Sequence, residues 1–230
     1  MKKIFSLILA VSMAISVSSV FGEEIIFSDV SVGSPYYESV ADLFISDIIH
    51  GYPDGTFKAD KQMTRAEAAK VIMLTVGGGN PQGLSIAKGE RTTGFTDVET
   101  THWVYDYIGG ATDLQIVSGN GDGTFLPDEN VTYGEVVKMI VCAMGYEVMA
   151  QSRGMSFPVG YAQAAANLGV TEGISFVLED FATRGNVAKL IHTALDLPIM
   201  EQVESGSFVE YIIMDGKNDV ELRTLRIMRR

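Results

Sequence analysis

One stretch of the chain is written twice in the same register. Phe27-Ser28-Asp29-Val30, Asp54-Gly55-Thr56-Phe57 and Thr64-Arg65-Ala66-Glu67 recur as Phe95-Thr96-Asp97-Val98, Asp122-Gly123-Thr124-Phe125 and Thr132-Tyr133-Gly134-Glu135, each displaced by 68 residues. A gapless repeat at fixed displacement implies supersecondary units, none able to bury its apolar face alone, so the copies must pack on one another. A third, degraded copy follows. Tyr161 to Val170 aligns with Tyr107 to Ile116 at a displacement of 54, and Thr183-Arg184-Gly185-Asn186 aligns with Thr132 to Glu135 at 51. The third connecting loop has therefore lost three residues and its Asp-Gly-Thr-Phe turn. A repeat array needs about three units for stability, and three are present.

Within a copy the residues read as helix, loop, turn, helix. Val40, Ala41, Phe44, Ile45 and Ile48 recur at helical spacing after Pro35, a residue tolerated at a helix start. Gly51 and Gly119 fall just past the first helices, where a left-handed residue commonly ends a helix. Pro53-Asp54-Gly55 and Gly121-Asp122-Gly123 are strong turn signals and suggest a short hairpin. The second helices open on capping boxes, Thr64 with Glu67 and Thr132 with Glu135, in which each side chain satisfies a backbone N–H of the other residue. In the third copy Asn186 replaces the acidic partner and weakens the box.

The first 22 residues stand apart. Met1-Lys2-Lys3 is a basic start, Ile4 to Val17 is nearly all apolar, and Val20-Phe21-Gly22 fits a cleavage site, so residues 1–22 read as a secretory signal peptide. An uncleaved anchor is the alternative, for which the stretch is short against the roughly 20 residues of a span. The repeats are assigned to residues 27–76, 95–149 and 156–197, with a Gly-rich linker at 77–94. Residues 198–230 form a tail in which Phe208 to Met214, Asp215-Gly216-Lys217-Asn218 and Val220 to Leu222 read as strand, turn, strand, the possible start of a truncated domain.

Composition narrows the partners. An apolar content of 47% supports a packed core, and the formal charge of −12 becomes two units more negative once Lys2 and Lys3 leave with the leader. Such a chain lacks the basic footprint that nucleic acid and anionic membranes require. An anionic ligand needs a local convergence of basic side chains in a groove. The single Cys142 sits in an apolar helical run and reads as a small buried hydrophobe. Asn120, Asp122, Gly123 and Glu129 fall at calcium-loop spacing from Ser118, but the first position lacks a carboxylate and the other copy supplies His50, Tyr52 and Lys61 instead, so a turn is the better account. His50, His102 and His192 are scattered, with no metal-binding spacing or nucleophile elbow, so no cofactor and no catalysis is expected.

Taken together, FSDV, GYPDGTF and TRAE in the first copy, with FTDV, HW, GNGDGTF and PDENVTYGE in the second, resemble the S-layer homology domain. The resemblance covers Phe27 to about Leu197. It implies a mainly α fold in which three repeats surround a pseudo-threefold axis, each giving one helix to a central three-helix bundle, with grooves between repeats. It also implies a secreted protein held at the bacterial cell wall by a secondary polysaccharide linked to peptidoglycan, often through a sugar bearing a pyruvate ketal.

Arg65 and Arg184, second in their TRAE-type segments, suit that ketal carboxylate: Arg offers a bidentate fork, and the first turn of a helix adds free N–H groups and a positive dipole. Tyr133 takes the position in the second copy, so at most two grooves retain the Arg. Asp29 and Asp97 are carried over as groove landmarks that accept sugar hydroxyls, orient the Arg, or cap the following helix. Trp103, in the family's aromatic position, packs against a sugar ring or anchors the core. Glu67 and Glu135 read as caps. A self-assembling surface lattice and the anchor of a wall-active hydrolase are the competing readings.

Overall fold

The computed structural model describes residues 26–77, 92–205, 208–217 and 220–228. The leader read at residues 1–22 and most of the linker read at 77–94 lie outside them. No helix among the described residues is long and apolar enough to cross a membrane.

Each unit contributes an outer and an inner helix. The outer helices are α1 (Tyr37–Ile45), α3 (Tyr105–Asp113) and α6 (Val159–Leu168), and the inner ones are α2 (Arg65–Val76), α4 (Tyr133–Ala143) and α7 (Arg184–Leu195). A short α5 (Glu147–Ala150) links the second and third units. The three inner helices touch pairwise and bury Ala69, Ile72, Val136, Ile140, Val187 and Ile191. Each outer helix packs on the inner helix of the unit before it: α3 on α2, α6 on α4, and α1 on α7. The last contact closes a ring, so no unit keeps its apolar face to itself.

The backbone closes the same ring at the axis. Met63 N–H donates to the Ala182 carbonyl at 3.0 Å, Ala182 N–H to Val131 at 2.9 Å, and Val131 N–H to Met63 at 3.0 Å. Immediately after, the first two N–H groups of each inner helix donate to loop carbonyls of the next unit: Arg65 and Ala66 to Glu129 and Pro127, Tyr133 and Gly134 to Asp180 and Leu178, Arg184 and Gly185 to Lys61 and Ala59. Both expected capping boxes form at Thr64 and Thr132, whereas Thr183 makes no side-chain cap.

Gly51 and Gly119 do not terminate helices. The left-handed residues near those ends are Asp47 and Gln115, with φ of 59° and 57°. The glycines are required by close approach: a Cβ at Gly51 would lie 2.2 Å from the Phe27 ring and 2.7 Å from the Thr56 carbonyl, and one at Gly119 would lie 2.5 Å from Phe95. In the tail, β2 (Phe208–Ile213) pairs antiparallel with β1 (Met200–Ser205); among the described residues after Lys217, Leu222 and Thr224 form isolated bridges to Asp215 and Pro198. A short α8 (Leu225–Met228) follows, burying Leu225, while Arg226 pairs with Asp196 and, at 2.8 Å, with Asp42.

Candidate functional site in the inter-repeat grooves

The grooves are built by an Asp, one peptide group and an Arg. Asp97 accepts from the N–H groups of Phe125 (2.8 Å) and Leu126 (2.7 Å), and the Phe125 carbonyl then accepts from Arg65 Nε at 2.7 Å. Asp29 does the same for Phe57 and Lys58, both at 2.7 Å, and the Phe57 carbonyl accepts from Arg184 Nε at 2.9 Å. Leu126 and Lys58 have φ of 60° and 58°, a left-handed conformation that costs about 1–2 kcal/mol, so the carboxylates hold a strained loop in place. Each guanidinium lies on the ring below it, Arg65 at 4.6 Å from the Phe125 centroid and Arg184 at 4.7 Å from Phe57. The Asp residues thus cap no helix, and they orient the Arg through one peptide rather than by contact.

The helix N-termini offer no free N–H in the first two positions, since the next unit's carbonyls take them.

Groove 1 lies where the three units meet and encloses a cavity of about 240 Å3. The first unit supplies Ile48 to Tyr52 and Glu67, Lys70 and Val71; the second supplies Trp103; the third supplies Arg184. Arg184 Nη2 donates to the His50 carbonyl at 2.8 Å, its guanidinium lies 5.0 Å from the Tyr52 ring, and no partner of its other terminal nitrogen is found among the described residues. Lys70 Nζ stands 5.9 Å from the Trp103 centroid and has no hydrogen-bond or ion-pair partner among the described residues. Trp103 is 55% exposed, which removes the core-anchor reading.

Groove 2 repeats the plan with Ile116 to Asn120, Glu135, Lys138 and Met139, Phe157 in the place of Trp103, and Arg65 in the place of Arg184. Its chemistry is already satisfied. Arg65, only 8% exposed, is ion-paired to Glu135 and donates to the Ser118 carbonyl at 3.0 Å. Lys138 donates to the Ser118 hydroxyl at 2.6 Å. The cavity shrinks to about 140 Å3. At the third junction Tyr133 replaces the Arg, stacks on Phe176 at 4.6 Å and accepts from Asn186 at 2.7 Å.

Of the five residues singled out from sequence, Arg184 and Trp103 share groove 1, Arg65 is locked in groove 2, and Asp29 and Asp97 lie behind the grooves as loop latches. Sequence reasoning missed Lys70, Tyr52 and His50. The signal for Lys70 was there, because Lys70, Lys138 and Lys189 recur at the repeat displacements. Beside the groove, the Asp54 carboxyl is held down at about 2 by the Thr56 hydroxyl, then by Lys58 and the Thr56 N–H. Donation to the Tyr52 hydroxyl holds Lys61 above its ordinary value. Among the described residues no group of three His, Cys, Asp or Glu could hold a metal ion.

Comparison with known proteins supplies a family. The S-layer homology domain model matches residues 26–69 and 94–137. The chain is 33% identical to a surface layer protein of Brevibacillus choshinensis over 217 residues, which is 94% of this chain and 19% of that protein. It is 36% identical to a cellulosome-anchoring protein of Acetivibrio thermocellus over 87 residues, 38% of this chain and 19% of that protein. It is also 32% identical to an endoglucanase of Bacillus sp. strain KSM-635 over 120 residues, 52% of this chain and 12% of that protein. The chain thus spans a fifth or less of the length of these relatives. The similarities place it at the bacterial cell surface.

Proposed function

Because the chain carries S-layer homology domains at residues 26–69 and 94–137, we propose that it is a non-catalytic wall anchor whose groove 1 binds a pyruvylated secondary cell-wall polysaccharide and tethers a secreted protein to the cell. The observation that carries this reading is the convergence of Arg184, Lys70 and Trp103, one from each unit, on a single open cavity. A ketal carboxylate placed between Lys70 and the unpartnered nitrogen of Arg184 would complete two charge-assisted bonds that the protein leaves unmade. The apolar face of the sugar would cover the exposed Trp103 ring. Groove 2 is the weaker site in this reading, since a ligand carboxylate must first displace Glu135 from Arg65.

The occurrence of related segments in proteins named for surface layers, cellulosome anchoring and glucan hydrolysis supports a portable attachment module, separate from whatever each carries. The test compares binding of the secreted chain to wall polymer before and after mild-acid removal of the ketal, with Arg184→Ala alongside. Loss of binding on depyruvylation and in the variant is expected; equal binding in all arms would falsify the groove mechanism. A surface lattice is the second reading, favoured by the extent of the match to a surface layer protein. It calls for ordered assemblies forming without wall polymer.

A further inference from the structure

We infer that groove 1 continues past Tyr52 into a second anion subsite formed by Lys58 and Lys61, so that its glycan carries at least two negative groups, the second a phosphodiester or a uronate carboxylate on a neighbouring sugar. This rests on the reading of groove 1 as the glycan site and specifies the ligand further.

Three cations surround one ring. Lys58 Nζ stands 4.4 Å, Lys61 Nζ 5.0 Å and Arg184 Cζ 5.0 Å from the Tyr52 centroid. All three charges therefore fall within a Debye length of one another, about 10 Å at 0.1 M salt, and they repel. In a chain with 29 acidic against 17 basic side chains, such crowding is not the background. Nor does the fold require it. The equivalent positions beside groove 2 are Asn120, Leu126 and Glu129, on a loop latched by the same Asp-to-backbone bonds. The cationic character thus distinguishes the open groove from groove 2.

Local compensation is partial, with Glu67 of the same groove attracting Lys61 without an ion pair to it. Lys58 pairs with Asp54 at 3.0 Å, but both side chains are exposed, at 43% and 55%, and such a pair exchanges readily for a ligand anion. Lys61 commits one of its three donors, to the Tyr52 hydroxyl at 2.9 Å. Tyr52 is the common neighbour of the Arg184 guanidinium and of the two lysines, so it marks the border between the two subsites. The charge on one sugar would meet Arg184 and Lys70, and the charge on the next residue would meet Lys58 and Lys61.

The experiment measures binding of the secreted chain to three probes. One is a methyl hexoside with a single pyruvate ketal; the others are its disaccharides extended by a glycerol-phosphate group or by a glucuronic acid. Both two-charge probes, or the one of matching chemistry, should bind about tenfold tighter than the one-charge probe and lose affinity more steeply with salt. Lys58→Gln/Lys61→Gln should abolish that gain and leave the one-charge probe within about twofold. The inference is overturned if two charges bind no tighter than one, or if the double variant weakens all probes alike. Binding of two-charge probes that responds to the lysines, with no binding of the one-charge probe, would uphold the subsite and sink the ketal reading. Failure of every probe would sink both.

Discussion

Asp29 and Asp97 each clamp two consecutive backbone N–H groups, and the peptide so fixed aims its carbonyl at an Arg from another unit. Replacing either with Ala leaves two donors without their acceptor and a left-handed residue without its clamp, a loss of about 1–3 kcal/mol by urea unfolding. The two variants should part company on binding: Asp29→Ala disturbs the Phe57 carbonyl under Arg184 and so groove 1, whereas Asp97→Ala acts on groove 2 and leaves polymer binding intact. Equal binding losses would contradict that assignment. Cys142 gives a separate residue-scale test. Burial, with Glu147 beside it, pushes its thiol up to about 12, so alkylation by iodoacetamide at pH 8 should run on the order of a hundredfold slower in the folded chain than in urea. The sign follows: a thiol raised when folded contributes stability below its unfolded value and loses it as the pH climbs towards 12. The Asp29 and Asp97 roles were not legible in sequence because their partners lie 28 and 29 residues away, beyond any local capping pattern.

Among the elements, the inner-helix starts were the most legible, since a capping box is a local contract between residues three apart. Thr64→Ala should cost about 1 kcal/mol of stability, while Thr183→Ala, which removes no cap, should cost well under half of that in the same denaturation series. Comparable losses would show that the caps are not what distinguishes the units. Gly51 was misread because a glycine after a helical pattern most often ends the helix; here the Phe27 ring and the Thr56 carbonyl exclude a side chain. Gly51→Ala should therefore destabilise by more than the helix-propensity scale would suggest, with Gly119→Ala matching it. The tail shows the opposite difficulty: β2 was visible, but its partner β1, polar at Glu201, Gln202, Glu204 and Ser205, carries no period-two pattern that could outweigh the Asp-Gly signal at residues 215–216.

For the whole molecule, the 68-residue displacement identified the units but not which neighbour each would pack on, because a repeat specifies a face and not its partner. The ring of Met63, Val131 and Ala182 hydrogen bonds, with each outer helix on the preceding inner helix, makes every unit depend on two others. Unfolding should follow one cooperative transition, and a fragment ending at residue 149, which strips α4 of α6 and α1 of α7, should lose it. The same exchange of helices places Trp103 and Arg184 beside Lys70, a convergence invisible in a linear reading. Three junctions that began as copies have diverged into one open groove, one closed by its own Glu135 and one filled by Tyr133. The claim that only the first does the work is tested most directly with matched surface variants, since Trp103 and Phe157 are both about half exposed and can be replaced without emptying the core. Measured by co-sedimentation with pyruvylated wall polymer, Trp103→Ala combined with Lys70→Gln should lower affinity by about tenfold or more, roughly two lost contacts of 1 kcal/mol each, while Phe157→Ala combined with Lys138→Gln should stay within about twofold. Equal losses in the two pairs, or a loss confined to the Phe157 pair, would contradict the account.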